Sequence, residues 1–560
     1  MIIFTQYCIL FLQIFLLSLF LALCGFLIKK TIFNSNDVEN FEENCLFGFL
    51  LIGFVALFIN FFYPLNLFFN NIIFLLLIYF AFKLGFFNQN KKKMIKNAVY
   101  ISSLSFILFI YSNVNTPDAL LYHLPYSRLI SEHKIVIGAS NIDFRFGHIS
   151  IFQYISSFLN NSLFGTNGVL LPVAILVSNF LFYCFKLFIN DFKKNSSRIK
   201  SYFIFLILII SLYSFSRYSG YGNDAQAHIY YFLSIIYLLE FFLNKKSILN
   251  FQKILVLSIF LFLLKPFFII CTLIPILIFF MYKKKNMILK SKTFIFILTF
   301  FLLWLLKNFL TSSCLIYPLK FTCNTYVLWS SNNVEKISLQ GEAWAKGWPQ
   351  NTDKNLNQDK FIKNFNWLNS WTNVHFKIII EKLSPIIIFI FLNYIFFYFT
   401  KCLKKNYQNK NSFYYYLLFL INLIFVFIWF WKIPLYRQGL SFIHILILLI
   451  SYFIFIKNID VRKIKKFYNF FMVFILFSFG IFITKNIIKI NNNYNQSITP
   501  AIYDMSKINK SIKVFNTRNE FTHYKLANNI ACGFSVSPCT NLDINVEKKY
   551  FLGYLIYINF

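Results

Sequence analysis

The stretch CILFLQIFLLSLFLALCGFLI, residues 8–28, decides the class of fold. A helix needs about twenty apolar residues to cross roughly 30 Å of hydrocarbon, and this run has that length. Lys29 and Lys30 follow it directly, whereas a cleaved signal peptide carries positive charge before a shorter apolar core. We therefore interpret the run as a retained first membrane span.

The composition of the whole chain agrees with that interpretation. Of its 560 residues, 58% are hydrophobic and 13% are charged, whereas a soluble domain has about a quarter charged residues. The net charge of +34 suggests nucleic-acid binding at first sight, but the lysines come in short clusters between apolar runs. These clusters lie at 29–30, 91–93, 193–194, 283–285, 404–405 and 462–466. Because the positive-inside rule places such loops in the cytoplasm, we expect a membrane protein with no nucleic-acid partner.

Further apolar runs predict the remaining spans. They lie at 45–63, 66–87, 97–112, 167–190, 201–217, 225–243, 293–311, 380–400, 412–431, 439–456 and 467–487. The run 254–282 is too long for one span, is interrupted by Lys265-Pro266 and has lysines at both ends, so we predict a hairpin of two short helices. The sequence thus predicts an all-α polytopic bundle with about fourteen crossings.

The lysine clusters also predict the orientation. With the N-terminus outside, every lysine-rich connection faces the cytoplasm, and four segments fall outside: 113–166, 218–224, 312–379 and 488–560. We divide the chain into N-terminal helices (1–96), a core with two large outer loops (97–487) and a small folded tail (488–560). The run 149–163 fits either a helix in the membrane interface or a helix packed on the bundle.

Four cysteines fall in the predicted outer segments. Cys314 and Cys323 are nine residues apart, and Cys532 and Cys539 are seven apart. Each pair could close a short disulfide loop in an oxidising compartment, and the sequence leaves open whether it does. No histidine pattern near them indicates zinc.

The first outer loop holds the main candidate residues. Asp118 follows a predicted span, and Tyr122 and His123 come one turn later. Asp118 is either a helix N-cap or a general base or metal-binding carboxylate; we favour the second interpretation and group His123 with it as a candidate catalytic residue. Tyr122 and Arg145 are candidate substrate-binding residues, while Asp143 and His148 also fit an ordinary polar loop.

The second outer turn adds an acid and a histidine. Asp224 and His228 are four residues apart at the start of a predicted span, so they share one helix face at the membrane height expected for Asp118. Asp224 is a second catalytic candidate, with an N-cap as the simpler interpretation, and His228 is a candidate substrate-binding residue. Asp118 and Asp224 together could hold a divalent cation such as Mg²⁺ or Mn²⁺.

Three cations and one acid complete the candidates. Lys265 in an apolar run requires a partner or access to the interface. Lys307 and Arg437 at outer span ends could bind a phosphate or serve as snorkelling anchors. Glu342 is the acid in a loop rich in tryptophan, whose rings either belong to the membrane belt or stack on sugars.

These motifs resemble the GT-C superfamily of integral-membrane glycosyltransferases, in particular its bacterial branch related to mannosyl- and arabinosyltransferases. The resemblance covers residues from about 97 to 460. It rests on PDALLYHLP (117–125), YGNDAQAHIYYF (221–232), LLKPFFI (263–269) and WLLKNFLTSSCLIYPL (304–319).

The resemblance implies a polyprenyl-phosphate sugar donor and catalysis on the outer face of the bacterial inner membrane. Asp118 would be the base, often helping to hold a metal, and Asp224 the second-loop acid. Lys307, Arg437 or a metal would stabilise the departing lipid phosphate during inverting transfer to an envelope glycan, lipid or protein. Membrane lipids are the other expected partners.

Two other classes remain open from the sequence. A transporter or flippase of lipid-linked saccharides predicts charges buried across several spans, of which Lys265 is essentially the sole example. A non-catalytic envelope assembly protein predicts that Asp118 and Asp224 are replaceable.

Overall fold

A computed structural model describes most of the chain. It covers residues 2–35, 40–112, 118–193, 198–218, 221–243, 247–282, 285–331, 333–351, 356–400, 412–454, 468–500, 512–517, 521–526, 532–534, 537–540, 542 and 546–559. Several residues of the predicted lysine clusters lie outside the described residues, namely 194, 283–284, 404–405 and 462–466. Residues 113–117 of the first outer loop also lie outside them.

The fold is an α-helical bundle with two small β-hairpins in the tail. The α-helices are α1 (Ile2–Thr31), α2 (Phe41–Asn60), α3 (Leu67–Lys83), α4 (Lys91–Phe109), α5 (Leu124–Glu132), α6 (Ala139–Ile142), α7 (Ile151–Leu159), α8 (Asn167–Lys193), α9 (Arg198–Ser214), α10 (Asp224–Leu243), α11 (Ile248–Leu264), α12 (Leu273–Met281), α13 (Lys285–Leu289), α14 (Lys292–Ser312), α15 (Val334–Ala345), α16 (Gln358–Ile362), α17 (Leu368–Trp371), α18 (Lys377–Phe399), α19 (Ser412–Lys432), α20 (Tyr436–Ile454) and α21 (Tyr468–Asn493). The strands are β1 (Ile512–Thr517), β2 (Phe521–Leu526), β3 (Val546–Phe551) and β4 (Tyr554–Asn559), and β1 pairs antiparallel with β2 and β3 with β4.

Within the described residues, nine helices are long and apolar enough to cross a membrane: α1, α2, α8, α10, α14, the continuous α17–α18, α19, α20 and α21. Four shorter apolar helical segments, which include α3, α9 and α11, coincide with other predicted spans. The predicted all-α polytopic class is confirmed. Predicted span 97–112 begins earlier, at Lys91, because Asn90 caps α4.

The run 254–282 folds as the predicted hairpin. Lys265 has an extended backbone between α11 and a 3₁₀ turn at Pro266–Thr272, which leads into α12. The ring of Phe251, near the start of α11, stacks on Tyr282 after the end of α12 at a centroid distance of 6.1 Å. The two helices are therefore antiparallel, and Lys265 lies near the tip of the hairpin.

Helices α1 and α2 pack with their backbones almost in contact. A Cβ atom on Gly25 would lie 1.7 Å from the carbonyl oxygen of Asn44, and one on Gly48 would lie 2.0 Å from that of Leu21. Any larger residue at either glycine would force the helices apart. Small residues at such crossings are typical of membrane helix pairs.

Several helix ends meet the first outer loop at one end of the bundle, which we call the loop face. The side-chain amide of Asn60, at the end of α2, donates to the carbonyl oxygens of Ile130 and His133 at 3.2 and 3.0 Å. The backbone N–H of Gly138 donates to the carbonyl oxygen of Leu310 in α14 at 2.8 Å. The loop is thus folded onto the bundle.

Helix α7 belongs to that folded loop. All of its residues are buried, and Phe152 packs against Phe49 of α2 with ring centroids 6.1 Å apart. Of the two alternatives for this run, packing on the bundle is therefore correct, and a helix lying in the membrane interface is wrong.

The tail returns to the first outer loop. The backbone N–H of Ile137 donates to Leu555 and that of Tyr557 donates to Ile137, both at 2.9 Å, so β4 pairs with the loop. The described part of the apolar C-terminal run thus belongs to a β-hairpin that pairs with the first outer loop.

Both cysteine pairs form disulfides, Cys314–Cys323 and Cys532–Cys539. The loop closed by the second disulfide contacts the first outer loop, since the backbone N–H of Gly533 donates to the carbonyl oxygen of Leu120 at 2.9 Å.

The opposite end of the bundle, where α1 ends and α2 and α11 begin, holds a buried ion network. The Glu43 carboxylate accepts from Lys29, from Lys253 at 2.5 Å and from the Tyr237 hydroxyl at 2.5 Å. Glu43 is 4% exposed, so four helices share one desolvated charge cluster. This network was not predicted.

We expect Glu43→Gln to lower the free energy of unfolding by about 3 kcal/mol, because it leaves two buried ammonium groups without their carboxylate. Thermal unfolding of the purified protein in detergent measures the effect. Glu335→Gln removes an exposed pair with Lys320 and serves as the control, with an expected loss below about 1 kcal/mol. Equal losses in the two variants would contradict the role assigned to the network.

Candidate functional site

Two ion pairs lie together on the loop face. Arg437, in the first turn of α20, donates from Nη1 to Oδ2 of Asp118 at 3.0 Å. Lys265, near the tip of the hairpin, pairs with Asp224, the first residue of α10. Residues far apart in sequence therefore meet, because the helices that carry them begin or end at the same height.

The two pairs form one cluster of four charges. The Arg437 guanidinium interacts electrostatically with both Asp224 and Asp118. The Lys265 ammonium likewise interacts electrostatically with Asp118 and Arg437. The side chains of Asp118 and Asp224 are 38% and 40% exposed. A polar molecule that approaches the loop face can therefore reach both carboxylates.

The simpler interpretation of Asp118 as a helix N-cap does not hold. Its backbone is helical, and its side chain makes no capping hydrogen bond to the helix that follows. That helix, Ala119–His123, is a single π-helical turn, a rare conformation that occurs often at functional sites. The carboxylate is instead directed to Arg437.

Tyr122 lies within this cluster. Burial, followed by the negative charges of Asp118 and Asp224, raises the pKa of the Tyr122 phenol well above its usual value. The hydroxyl therefore stays protonated and remains a hydrogen-bond donor at physiological pH. The guanidinium of Arg145 lies 5.8 Å from the centre of its ring.

His123 is held by a buried amide. Nε2 of Gln153 donates to Nδ1 of His123 at 2.6 Å and to Oδ1 of Asn223 at 3.2 Å. Since Nδ1 accepts, the neutral imidazole carries its proton on Nε2. Burial lowers the pKa of His123 to about 4. Gln153 thus connects the first outer loop to the turn that carries Asp224.

His228 holds the backbone of Arg437. Its Nε2 donates to the backbone oxygen of Arg437 at 2.8 Å, and its Nδ1 accepts from the hydroxyl of Ser441 at 2.9 Å. His228 is 1% exposed, so it positions α20 and does not face a substrate. The ring of Trp344 lies 5.9 Å from the Arg437 guanidinium and forms another side of the cluster.

The predicted residue Lys307 lies away from the four charges. It is fully buried, faces the rings of Trp304, Tyr126 and Tyr154 at 4.4, 5.7 and 6.0 Å, and donates to Asn308 at 3.2 Å. This aromatic enclosure attaches the first outer loop to α14. Lys307 is therefore neither a snorkelling anchor nor in contact with the Asp118 cluster.

Arg145 and Glu342 flank the cluster while bound to other residues. Arg145 donates from Nε and Nη2 to the two carboxylate oxygens of Asp143 at 2.8 and 2.7 Å. Asp143 also accepts from Thr540 in the tail at 2.9 Å. Glu342 accepts from Lys346 at 2.7 Å and from Lys432 at 3.3 Å.

The donor set does not fit the predicted divalent metal. The carboxylates of Asp118 and Asp224 each already pair with a cationic side chain. In the part of the chain that the structure describes, no group of three or more His, Cys, Asp or Glu side chains converges. These two carboxylates therefore do not form the donor set that a divalent cation requires.

Sequence reasoning named Lys265 without its partner, and it missed the roles of Trp344 and Gln153 beside the cluster. Lys265 carried a signal, since a lysine in an apolar run requires a partner, but nothing in the sequence identified Asp224 as that partner. Trp344 stood out only as one of several loop tryptophans. Gln153 carried no signal, because its role depends on two other segments folding around it.

Residues 8–444 match a family described as Domain of unknown function (DUF8201). The chain belongs to this family. The matched region contains all four charges of the cluster and ends within α20, so the tail lies beyond it. No curated protein and no solved structure is significantly similar to the chain.

We expect acid to destabilise the protein through His123. The unfolded chain binds a proton near the ordinary pKa of about 6.5, whereas folded His123 does so only near 4, so its contribution is complete above pH 6.5 and is lost as the pH falls toward 4. At pH 5 the loss is on the order of 2 kcal/mol. Thermal unfolding at pH 7.5 and 5 measures it.

The matched variant is His123→Asn, which keeps a polar group near Gln153 but does not titrate in this range. It should lose less stability than the wild type between the two pH values. Identical pH dependence in both proteins would show that His123 is not the group responsible.

Proposed function

We propose that this protein is a membrane glycosyltransferase that moves a sugar from a polyprenyl-phosphate donor to a cell-envelope acceptor. The observation that supports this most directly is the cluster of Asp118–Arg437 and Asp224–Lys265 on the loop face. It combines a reachable carboxylate, suited to removing a proton, with two cations, suited to a phosphate.

The first step in the proposed reaction is donor binding. The phosphate of the lipid-linked donor pairs with Arg437 and Lys265, and this releases the Asp118 carboxylate toward the acceptor. The Trp344 ring and the protonated Tyr122 hydroxyl border the same space and would contact the sugar by stacking and by a hydrogen bond. Binding therefore orders the acceptor and donor around Asp118.

The chemical step is a single displacement. Asp118 accepts the proton of the acceptor hydroxyl, and the oxygen of that hydroxyl forms a bond to the anomeric carbon from the face opposite the phosphate. The bond between that carbon and the phosphate oxygen breaks, and its electron pair leaves with the lipid phosphate. Arg437 and Lys265 stabilise the charge that develops there, and the configuration of the sugar inverts.

The location of the charges favours this function over transport. Among the described residues, buried charged groups concentrate at the two ends of the bundle, around Glu43 at one end and at Asp143 and Lys307 near the other. A translocation pathway for a charged lipid headgroup predicts charged groups between the ends as well. A charge cluster on the loop face, at one end of the bundle, suits chemistry at the membrane surface.

We also propose that the loop face is the outer, periplasmic side of a bacterial inner membrane. Both disulfides, Cys314–Cys323 and Cys532–Cys539, lie in segments of the loop face or its tail. Disulfides persist in oxidising compartments and are rare in the cytosol.

The direct test is the envelope glycan profile of a deletion strain complemented at matched protein levels. Wild type should restore a missing sugar, whereas Asp118→Asn should lower transfer by at least about a hundredfold, because an amide cannot accept the proton. Glu335→Gln, an exposed acid on the same face, serves as the matched control. Full restoration by Asp118→Asn would exclude Asp118 as the base, and an unchanged glycan profile in the deletion strain would favour an assembly protein.

Charge exchange separates chemistry from structure. The double variant Asp118→Arg with Arg437→Asp keeps an ion pair, so the melting temperature should stay within a few degrees of that of the wild type, while transfer is lost because base and cation have changed places. If the exchanged protein regained wild-type transfer, the pair would serve only as a structural link.

A further inference from the structure

A second group of cations lies on the loop face. It consists of Arg217 after α9, Lys382 in α18, and Lys485 and Lys489 in the last turns of α21. The described structure contains no ion pair between any of these four residues and an acid. Glu381, which directly precedes Lys382, forms no ion pair there either. Because cations that lie close together repel one another, such a group is unfavourable unless an anion compensates its charge.

Helix packing brings these residues together. Helices α18 and α21 are antiparallel, since Phe389 contacts Phe474 and Phe396 stacks on Phe470 at 3.9 Å. The beginning of α18 therefore lies beside the end of α21.

Helix α9 ends at the same place. The side-chain amide of Asn486 in α21 donates to the carbonyl oxygen of Ser216 at 2.9 Å, which places Arg217 next to α21. The charges of Arg217 and Lys382 both act on Lys485, and Arg217 also acts on Lys489.

Two of the four cations are fixed from behind. The Lys489 ammonium donates to the carbonyl oxygens of Ile107 and Leu108 and to the Ser112 hydroxyl, at 2.7 to 3.2 Å, and so caps the end of α4. Lys485 contacts the Ser216 hydroxyl at 3.4 Å and the Tyr213 ring at 5.3 Å, which leaves donor capacity on its ammonium. Arg217 and Lys382 are exposed. Fixed and exposed cations together form a concentrated positive patch.

We propose that Arg217, Lys382 and Lys485, with Lys489 behind them, bind the phosphate group of an anionic membrane lipid. The surrounding surface selects a lipid over a soluble anion, because the same helices expose aliphatic side chains beside the patch, among them Ile378 and Ile488. Acyl chains would cover these side chains while the headgroup phosphate meets the cations. The positive-inside rule gives no other reason for this concentration of charge on the proposed outer side.

The site is separate from the Asp118 cluster and does not depend on the proposed transferase activity. Its occupant would hold the ends of α9, α18 and α21 together, where the cations alone would drive them apart. A lipid in this place acts as a structural ligand of the bundle.

Binding of phosphatidylglycerol and phosphatidylcholine to the purified full-length protein in detergent tests the proposal, with native mass spectrometry as the readout. Removing one cation near a membrane surface weakens the binding of an anionic lipid about fivefold. The triple variant Arg217→Gln, Lys382→Gln, Lys485→Gln should therefore bind phosphatidylglycerol at least about tenfold more weakly than wild type. Phosphatidylcholine, whose headgroup has no net charge, should bind weakly to both proteins.

The matched control replaces three exposed lysines of the outer segment 312–379, Lys336, Lys360 and Lys363, with glutamines and should bind like wild type. Lys382→Gln alone changes an exposed residue and should weaken binding about fivefold, which keeps the test valid if the triple variant fails to fold. Equal phosphatidylglycerol affinity in wild type and the variants would overturn the site. Displacement of the lipid by millimolar inorganic phosphate would overturn its assignment to a lipid and indicate a soluble phosphate.

Discussion

The cost of placing a charge in hydrocarbon organises this molecule. Glu43 is buried at one end of the bundle because Lys29 and Lys253 neutralise it there. Asp224 and Lys265 neutralise each other at the opposite end. Since an unpaired charge in the membrane costs several kcal/mol, the helices are constrained to bring these partners to the same height. The apolar helices fill the space between the two ends.

The loop face gathers three parts of the chain that are distant in sequence. The first outer loop supplies Asp118 and the π-helical turn, the hairpin tip supplies Lys265, and the start of α20 supplies Arg437. Two of these parts are fixed by buried side chains: Gln153 holds His123, and His228 holds the Arg437 backbone. The tail adds hydrogen bonds to the outer side of the same loop. The charged side chains are thus held in place while their ends remain reachable.

Much of this arrangement was predictable, and the failures have physical causes. The hairpin followed from Lys265-Pro266, because a proline and a charge interrupt a membrane helix. Asp118, Asp224 and Arg437 stood out because polar groups are rare in so apolar a chain. Lys307 stood out for the same reason, yet three aromatic rings enclose it away from the cluster. Rarity identifies a constrained residue and does not reveal which partner constrains it.

The sequence by itself determined the polytopic helical class, the positions of most spans and the residues that need partners, because hydropathy and the cost of burying charge are local properties of a chain. Only the tertiary structure decided the pairing. Asp118 meets Arg437 across 319 positions, and Lys489 caps α4 across some 380. Such contacts depend on which helix ends reach the same height beside one another, and this is set by the packing of the whole bundle, including close approaches such as that at Gly25.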